Sequence, residues 1–558
     1  MGFVSRNNRR WVRNAAVVAS LAMALTACGG SKGGETGGGG GGGAKDAGKP
    51  QYGGKVTYAL EAENAEGWCL PEAQLAIAGI QVARAIYDTL AIPNKNGELV
   101  PNLAKSLTPN ADFTEWNIEL REGIKFHDGT ALDATVVKNN LDAFRGKYPA
   151  RKPLLFVFVF QNVKDVEVVD PLNVKVTTNS PWSSFPQALW SSGRIGMSAQ
   201  AQLDDPETCD TKLIGTGPFM LSEWSQNEKF VAKKNPNYWQ KDADGNQLPY
   251  LDEIEFRPMT EGSAHVNALL AGDITMMHTP VPEFIDALDA AAEEGKITNT
   301  QSDKFTEVNF VQLNTSVPPF DNKNARLAIA NALDMETLNQ TRNLGLTKIA
   351  NGPFAPGNMG YLKDTGYPTY NPEKAKKYLE AYKADTGQDL EFTLIATPDQ
   401  ATQATAALAQ EMAKKAGIKV DVTALEQAAL VSTAISGKFQ AMSFRNFPGG
   451  DPDANYVWWY GTSPINFSRY NDEEINRLLD EGRATDDTAK RKQIYEDINK
   501  RFGSEAYGIW LYWAIWDVAS ATDVHGLFGA KLPNGDDPAE SLVTGHSVAG
   551  LWVDQGKS

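Results

Sequence analysis

Apolar and polar residues follow two different periods in the first half of the chain. A period of two, typical of a strand with one buried face, runs through residues 55–60, 112–129 and 162–178. The longer spacing that is typical of a helix runs through residues 75–90 and 130–144. These stretches predict strands with intervening helices, and we expect a hairpin across residues 112–129.

The pattern changes near Phe305. Residues 304–315 read as a strand, and helical stretches then alternate with strands as far as two charged helices within residues 472–502. The aromatic stretch 507–521 again reads as strand. Such alternation is typical of an α/β region, so we expect a structural division near Phe305.

The N-terminal residues resemble a secretion signal. Basic residues that include Arg9 and Arg10 precede an apolar run, residues 15–25, which is too short to span a bilayer as a mature helix. The sequence Leu-Thr-Ala-Cys then ends at Cys28, which predicts a signal peptide of residues 1–27 and a lipid on the Cys28 thiol. The alternative is an uncleaved anchor helix with an incidental cysteine. The paired arginines leave both the general and the twin-arginine export routes open.

A glycine-rich segment, residues 28–53, follows the signal. Its composition cannot bury apolar surface, so we expect a flexible tether. A lipid, a tether and a globular body together predict a protein held at the outer face of the cytoplasmic membrane.

Charge and composition exclude other classes. The net charge is −16 and becomes −20 without the signal, which holds four arginines and no acid. An acidic protein of this kind is a poor partner for nucleic acid or for anionic lipid surfaces. The hydrophobic content of 42% fits a packed protein, and its length implies two or three domains.

Two further cysteines, Cys69 and Cys209, form an even pair in an exported chain. A disulfide is the favoured interpretation, and two buried thiols are the alternative. Closing so long a loop adds roughly 4–5 kcal/mol of stability in the chain-entropy treatment.

Known catalytic and metal-binding patterns are missing from the sequence. The five histidines are widely spaced, with no H-E-x-x-H and no cluster with cysteine. Neither a phosphate loop nor a G-x-S-x-G elbow is present. The acids Glu61, Glu63 and Glu66 resemble a glycosidase cluster, but no partner can be assigned to them. We therefore expect a binding protein without cofactor, metal or enzymatic activity.

The stretch AMSFRNFPGGDPDANYVWWY, residues 441–460, has the composition of a ligand-gripping loop. Arg445 either donates two parallel hydrogen bonds to a carboxylate of the ligand or forms an ion pair with Asp451 or Asp453. The aromatic candidates for stacking against a ligand are Phe447, Trp458 and Trp459, for which ordinary packing is the alternative.

Several segments in order along the chain resemble one family. They are LAKSLTPNADFTEWNIELREGIKFHDGTALDATVVKNNLD (residues 103–142), IGTGPFMLSEW (214–224), KNPNYWQ (234–240), YLDEIEFRPM (250–259), PFDNKNARLAIANALDMETL (319–338) and FSRYNDEEINRLLDEGR (467–483). The chain resembles the substrate-binding proteins of ABC importers, in the oligopeptide, dipeptide and nickel-binding group known as solute-binding family 5.

The resemblance implies an α/β, two-lobed periplasmic-binding-protein fold of type II, in the large peptide-binding class. Lobe I would comprise residues 54–305 with an extra subdomain, and lobe II residues 306–507. Residues 508–558 would return to lobe I. The two hinge strands would lie in the stretches FTEVNFV and GIWLYWA, which begin at Phe305 and Gly508.

The resemblance also suggests where ligand binds. Relatives that bind peptides usually have a tryptophan where this chain has Arg445 and an amine-binding aspartate where it has Pro448. An ammonium ligand would then need another acid, such as Glu61, Glu63 or Asp453. Ligand contacts are also implied after the first strand, at Glu63 and Trp68, and within the loop at Asp451.

The implied function is a monomeric receptor that captures a small solute by lobe closure and delivers it to an ABC permease and ATPase. Short peptides are the expected cargo. An oligosaccharide, a metal chelate or an opine-like anion held by Arg445 remains an alternative, as does a cell-envelope scaffold that kept the fold.

We expect Cys28→Ala to release the protein from the membrane, because the variant lacks the thiol that takes the lipid. Metabolic labelling with a radioactive fatty acid and membrane fractionation measure this, with Ser31→Ala as the control. Equal labelling of Cys28→Ala and of the control would contradict the lipid anchor.

Overall fold

The computed structural model describes residues 48–557, apart from residues 65, 66, 261 and 448. The signal, Cys28 and most of the tether lie outside these residues, as do Glu66 and Pro448. The strands are β1 (Lys55–Leu60), β2 (Ala91–Pro93), β3 (Leu99–Pro101), β4 (Ala104–Pro109), β5 (Glu115–Leu120), β6 (Val163–Asp170), β7 (Asn173–Thr178), β8 (Phe219–Ser225), β9 (Lys229–Lys234), β10 (Glu253–Pro258), β11 (Met276–Thr279), β12 (Ile297–Ser302), β13 (Val308–Leu313), β14 (Lys348–Ile349), β15 (Glu391–Ala396), β16 (Lys419–Ala424), β17 (Ala441–Asn446), β18 (Gly508–Trp513), β19 (Trp516–Ala521), β20 (Val524–His525) and β21 (Trp552–Val553).

Helices connect these strands. They are α1 (Ile77–Ile86), α2 (Ala134–Phe144), α3 (Phe156–Val159), α4 (Phe185–Trp190), α5 (Gln200–Asp204), α6 (Gly262–Ala271), α7 (Pro282–Glu293), α8 (Lys323–Ala332), α9 (Met335–Asn343), α10 (Pro372–Thr386), α11 (Gln400–Lys415), α12 (Gln427–Ser436), α13 (Tyr456–Trp459), α14 (Glu473–Arg483) and α15 (Thr488–Glu505). The helix starts follow capping chemistry. Asp133 accepts a hydrogen bond from the Val136 N–H at 3.0 Å and so begins α2.

Two large sheets organise the described residues. The first sheet has seven strands in the order β12-β19-β11-β1-β10-β9-β8, with β1 parallel to both β10 and β11. The second has six strands in the order β14-β18-β13-β17-β15-β16, with β15 parallel to β16 and β17. A smaller antiparallel sheet, β4-β5-β7-β6, lies apart from both. Parallel strands joined by helices explain the mixed α/β character.

The chain passes between the two large sheets at two points. Residues 303–307 connect β12 of the first sheet to β13 of the second, and Ala514 and Ile515 connect β18 back to β19. The two crossings are hydrogen-bonded to each other. The Ala514 N–H donates to the Glu307 carbonyl at 2.9 Å, and the Thr306 hydroxyl donates to the Ala514 carbonyl at 2.8 Å. These segments overlap the stretches in which the sequence predicts hinge strands.

The hairpin predicted across residues 112–129 does not include β5. Strand β5 pairs with β4 and β7, and after it the described residues show an isolated antiparallel bridge between Lys125 and Ala131. The cause is local, because Gly123 has a positive φ of 78° and turns the chain out of the strand directly after β5.

Cys69 and Cys209 are bonded in the structure, with sulfurs 1.98 Å apart and Cα atoms 5.1 Å apart. Both cysteines are buried. The bond ties the segment before α1 to the loop after α5, across 140 residues of sequence. Among the described helices, none is long and apolar enough to cross a membrane.

We expect the double variant Cys69→Ser, Cys209→Ser to lose about 3–5 kcal/mol of unfolding free energy, because its unfolded chain regains the entropy of a long loop. Urea denaturation with and without dithiothreitol measures the loss. The reductant should destabilise the wild type and leave the double variant unchanged. Identical curves for wild type and variant without reductant would overturn the prediction.

Candidate ligand-binding site

Strand direction locates the candidate site. In the first sheet, β1, β11 and β12 all end at the edge where the chain crosses to the second sheet. In the second sheet, β15 and β17 end at the edge where β13 begins. Ligands of open α/β sheets bind outside the carboxyl ends of parallel strands. The region where these two edges meet is therefore the candidate ligand-binding site.

Arg445 lies at this edge, next to the last residue of β17. Its Nη1 is 3.2 Å from Oε1 of Glu307, which directly precedes β13, and 55% of the Arg445 side chain remains exposed. The field of Glu307, followed by those of Glu61 and Asp399, raises the pKa of Arg445. The sequence alternatives for its partner, Asp451 and Asp453, are therefore both wrong, since Glu307 holds that position.

Asp451 and Asp453 each bind an arginine of the following helices. Arg491 donates two hydrogen bonds to the Asp451 carboxylate, at 2.6 and 2.7 Å. Arg483 donates two to Asp453, at 2.9 and 3.1 Å. Both aspartates therefore stabilise the conformation of the loop. The ligand contact expected of Asp451 and the ammonium contact considered for Asp453 stay predictions.

Asp453 also binds a distant part of the chain. Its Oδ2 accepts hydrogen bonds from Trp182 Nε1 and from the Ser184 hydroxyl, both at 2.7 Å. The Arg483 guanidinium lies over the Tyr456 ring, 3.6 Å from its centre. Burial alone would raise the pKa of Asp453. The positive charge and hydrogen bonds of Arg483 have the larger combined effect, so the pKa is lowered. This set of contacts connects the segment after β7 to the loop after β17.

The two predicted stacking tryptophans lie on α13 and pack over the second sheet. Trp459 is buried, with edge-on contacts to Phe354 and Phe502 at ring distances of 5.5 and 5.1 Å. Trp458 is half-buried and contacts Phe467. A small aromatic cavity separates them from the sheet. Both tryptophans therefore take part in packing, and their stacking against a ligand stays a prediction.

The remaining predicted contacts have different surroundings. Phe447 is half-buried and packs against the core that surrounds the first sheet. Trp68 is 1% exposed, with Phe230 at 5.1 Å, so it is a core residue. The Glu63 carboxylate accepts backbone N–H bonds from Asn64 and Asn227, at 2.9 and 3.0 Å. Glu63 therefore fixes two loops, and nothing in these contacts directs it toward Arg445.

The negative fields of three carboxylates reach Arg445. Glu61 follows β1 and pairs with His278 of β11, and Glu307 is the last residue of the crossing into β13. Asp399 follows β15, caps α11 and accepts a bond from the Thr397 hydroxyl at 2.6 Å. Burial works against the charge of Glu61 and of Asp399, yet their partners lower both pKa values. We call Glu61, Glu307 and Asp399 the acid set, since the negative field of each raises the pKa of Arg445.

The field of Glu307 also acts on a second cation, Arg194. Its Nε donates to the Leu75 carbonyl at 2.9 Å. Burial lowers its pKa to about 10, and the field of Glu307 opposes that shift. Sequence reasoning missed Arg194 because a single arginine in a polar loop carries no spacing signature. It also missed Glu307 and His278, since their partners are distant in sequence.

No metal centre accompanies these charges. Among the described residues, no group of three or more His, Cys, Asp or Glu side chains is arranged to hold a metal ion. The side chains at the candidate site can form ion pairs and hydrogen bonds with a ligand.

Sequence comparison identifies the family. Residues 98–467 match the bacterial extracellular solute-binding proteins, family 5 (middle region). The chain belongs to this family. The glutathione-binding protein GsiB of Escherichia coli K12 is 28% identical over 428 residues, which cover 74% of this chain and 80% of GsiB.

Solved structures agree with this assignment. AgaA from A. tumefaciens R10, in complex with agropinic acid, is 26% identical, with a TM-score of 0.77 over 90% of this chain and 99% of AgaA. DppA of Helicobacter pylori, in complex with the peptide STSA, is 21% identical, with a TM-score of 0.78 over 90% of this chain and 99% of DppA. The protein has the two-lobed α/β fold of the periplasmic binding proteins. It is an extracytoplasmic solute-binding receptor of an ABC importer, and its family and fold are those of binding proteins.

We expect Arg483→Ala to cost about 3 kcal/mol or more of unfolding free energy, because it leaves the buried Asp453 carboxylate without its cation. Arg477→Ala, on the same helix, removes exposed pairs with Glu474 and Glu481 and should lower the unfolding free energy far less than Arg483→Ala does. Urea denaturation at pH 7 compares the two variants. Equal losses would show that the Asp453 contacts do not stabilise the fold.

Proposed function

We propose that this receptor is lipid-anchored at Cys28 and captures short peptides by closure of two lobes, which it then presents to the permease. Lobe I comprises residues 54–305 together with 508–558, and lobe II comprises residues 306–507. The two hydrogen-bonded crossings between the large sheets support this division, because relative rotation of the sheets must pass through them.

The choice of peptides as the ligand class rests on the charged residues at the edges of the two sheets. The acid set provides counter-charges for an ammonium group, although the aspartate usual in peptide-binding relatives is replaced by Pro448. Glu61 comes from the first sheet and Asp399 from the second, so a bound cation would draw both lobes together. GsiB binds glutathione and DppA binds the peptide STSA, and both resemblances favour a peptide.

An opine-like anion is the second candidate. AgaA binds agropinic acid, and Arg445 keeps more than half of its side chain exposed despite its contact with Glu307. A ligand carboxylate that reached Arg445 would have to share it with Glu307. We therefore rank this ligand class below peptides.

Two measurements test the receptor role. Native mass spectrometry of the protein purified without unfolding looks for a bound solute, and thermal-shift measurements then use peptides, glutathione, agropinic acid and oligosaccharides. A bound ligand at 100 times its Kd adds about 2.7 kcal/mol of stability, so the peptide that binds should raise Tm clearly. A rise with agropinic acid alone would favour the second candidate. An empty protein whose Tm none of these compounds changes would refute solute capture and favour a scaffold role.

A further inference from the structure

Residues 182–184 of lobe I bind lobe II at a point other than the two crossings. The Ser183 N–H donates to the Arg483 carbonyl at 2.8 Å, and the Ser183 hydroxyl donates to the Thr485 carbonyl at 2.7 Å. These bonds join the segment between β7 and α4 to the end of α14 and the turn after it. They add to the two hydrogen bonds that Asp453 accepts from the same segment. All four bonds are donated by lobe I and accepted by lobe II.

Each side of this contact is held in place within its own lobe. In lobe II, Asp453 accepts two hydrogen bonds from Arg483. In lobe I, the Trp182 ring packs against Phe185 at 5.4 Å, and the Trp182 carbonyl accepts a bond from Trp116 Nε1 at 3.1 Å. Because both surfaces are already ordered, bringing them together costs little conformational entropy.

Apolar side chains also cross between the lobes, in both directions. Phe447 of lobe II packs against the core that surrounds the first sheet. Leu155 and Phe158, at helix α3 of lobe I, pack against a cluster of lobe II that includes Ile395 and Val457. Hydrogen bonds and apolar burial therefore favour the same arrangement of the two lobes.

The backbones of the two lobes approach closely at a pair of glycines. Gly97 lies in the turn between β2 and β3, and Gly450 lies in the loop after β17. A Cβ on Gly450 would lie 3.0 Å from the Gly97 carbonyl oxygen. A side chain at this position would therefore push against the other lobe.

We propose that this contact is a latch, which holds the lobes closed and so sets how strongly the receptor binds its solute. The latch consists of the residues that form the four hydrogen bonds, Trp182, Ser183, Ser184, Asp453, Arg483 and Thr485. The inference rests on the proposed function, because a solute captured by closure binds the closed form. The apparent Kd is then the Kd of the closed form divided by the closed fraction, so a weaker latch weakens capture.

Two variants weaken the latch in different ways. Ser183→Ala combined with Ser184→Ala removes two of the four hydrogen bonds and keeps the others. Gly450→Ala keeps all four bonds and adds a methyl group where the backbones approach. Agreement between the two variants would therefore not depend on the loss of any one bond.

The matched control is Thr89→Val combined with Ser106→Ala. It also removes one hydroxyl bond to a carbonyl and one to a carboxylate, but both bonds lie within lobe I. The Thr89 hydroxyl donates to the Ala91 carbonyl at 2.6 Å, and the Ser106 hydroxyl donates to the Glu119 carboxylate at 3.0 Å.

Small-angle X-ray scattering of the full chain measures its radius of gyration. We expect a larger radius for both latch variants than for the wild type and the control, because more of their molecules are open. The probes for binding are an equimolar library of di- to pentapeptides, from which native mass spectrometry identifies the bound species. A fall of the closed fraction to about one tenth raises the Kd about 10-fold, and we expect calorimetry to find a change of this order in both latch variants.

The outcomes separate the latch from the receptor role. Latch variants with the radius and the Kd of the control would show a permanent junction between the lobes, which overturns the proposal and leaves peptide capture intact. A larger radius with an unchanged Kd would overturn the part of the latch in capture. If no peptide binds the wild type, peptide capture is refuted, and the radius alone decides whether the latch holds the lobes closed.

Discussion

The pair of hydrogen bonds between the two crossings is the constraint on which the rest of the molecule depends. Thr306 and Glu307 on one strand connection bind Ala514 on the other, so both passages between the sheets are held side by side. Because β13 and β18 are also neighbours in the second sheet, the crossings continue an existing ladder. The carboxyl ends of strands from both sheets are thereby brought to one region, and Glu61, Asp399 and Arg445 lie at or directly after such ends although they are remote in sequence.

The loop after β17 shows how buried charge pairs determine which residues stay available. Asp451 and Asp453 bind Arg491 and Arg483, so the most acidic part of the loop shapes the backbone. Such pairs cost hydration, and their geometry must be good for them to be tolerated. The Trp182 and Ser184 contacts satisfy the remaining side of Asp453 and connect the loop to the segment after β7.

The local part of the structure could be predicted from sequence. Strand β1 has the bounds that its alternation indicates, and the Asp133 cap begins the predicted second helix. The partner of Arg445 could not be predicted, because Glu307 lies 138 residues away while two aspartates lie within the same loop. Proximity in sequence favoured the wrong acids. The sequence alone does not separate a stacking role from a core role for Trp68 and Trp459, because tryptophan suits both and only packing distinguishes them.

The shortness of the return crossing has a mechanical consequence. Ala514 and Ile515 are the whole connection between β18 and β19, and the other crossing is hydrogen-bonded to it. A link of this length permits a change of angle between the sheets, but it allows almost no change in their separation at the crossing. Solutes of different length must then be accommodated by the space farther from the crossings, where the same angular change produces a larger displacement.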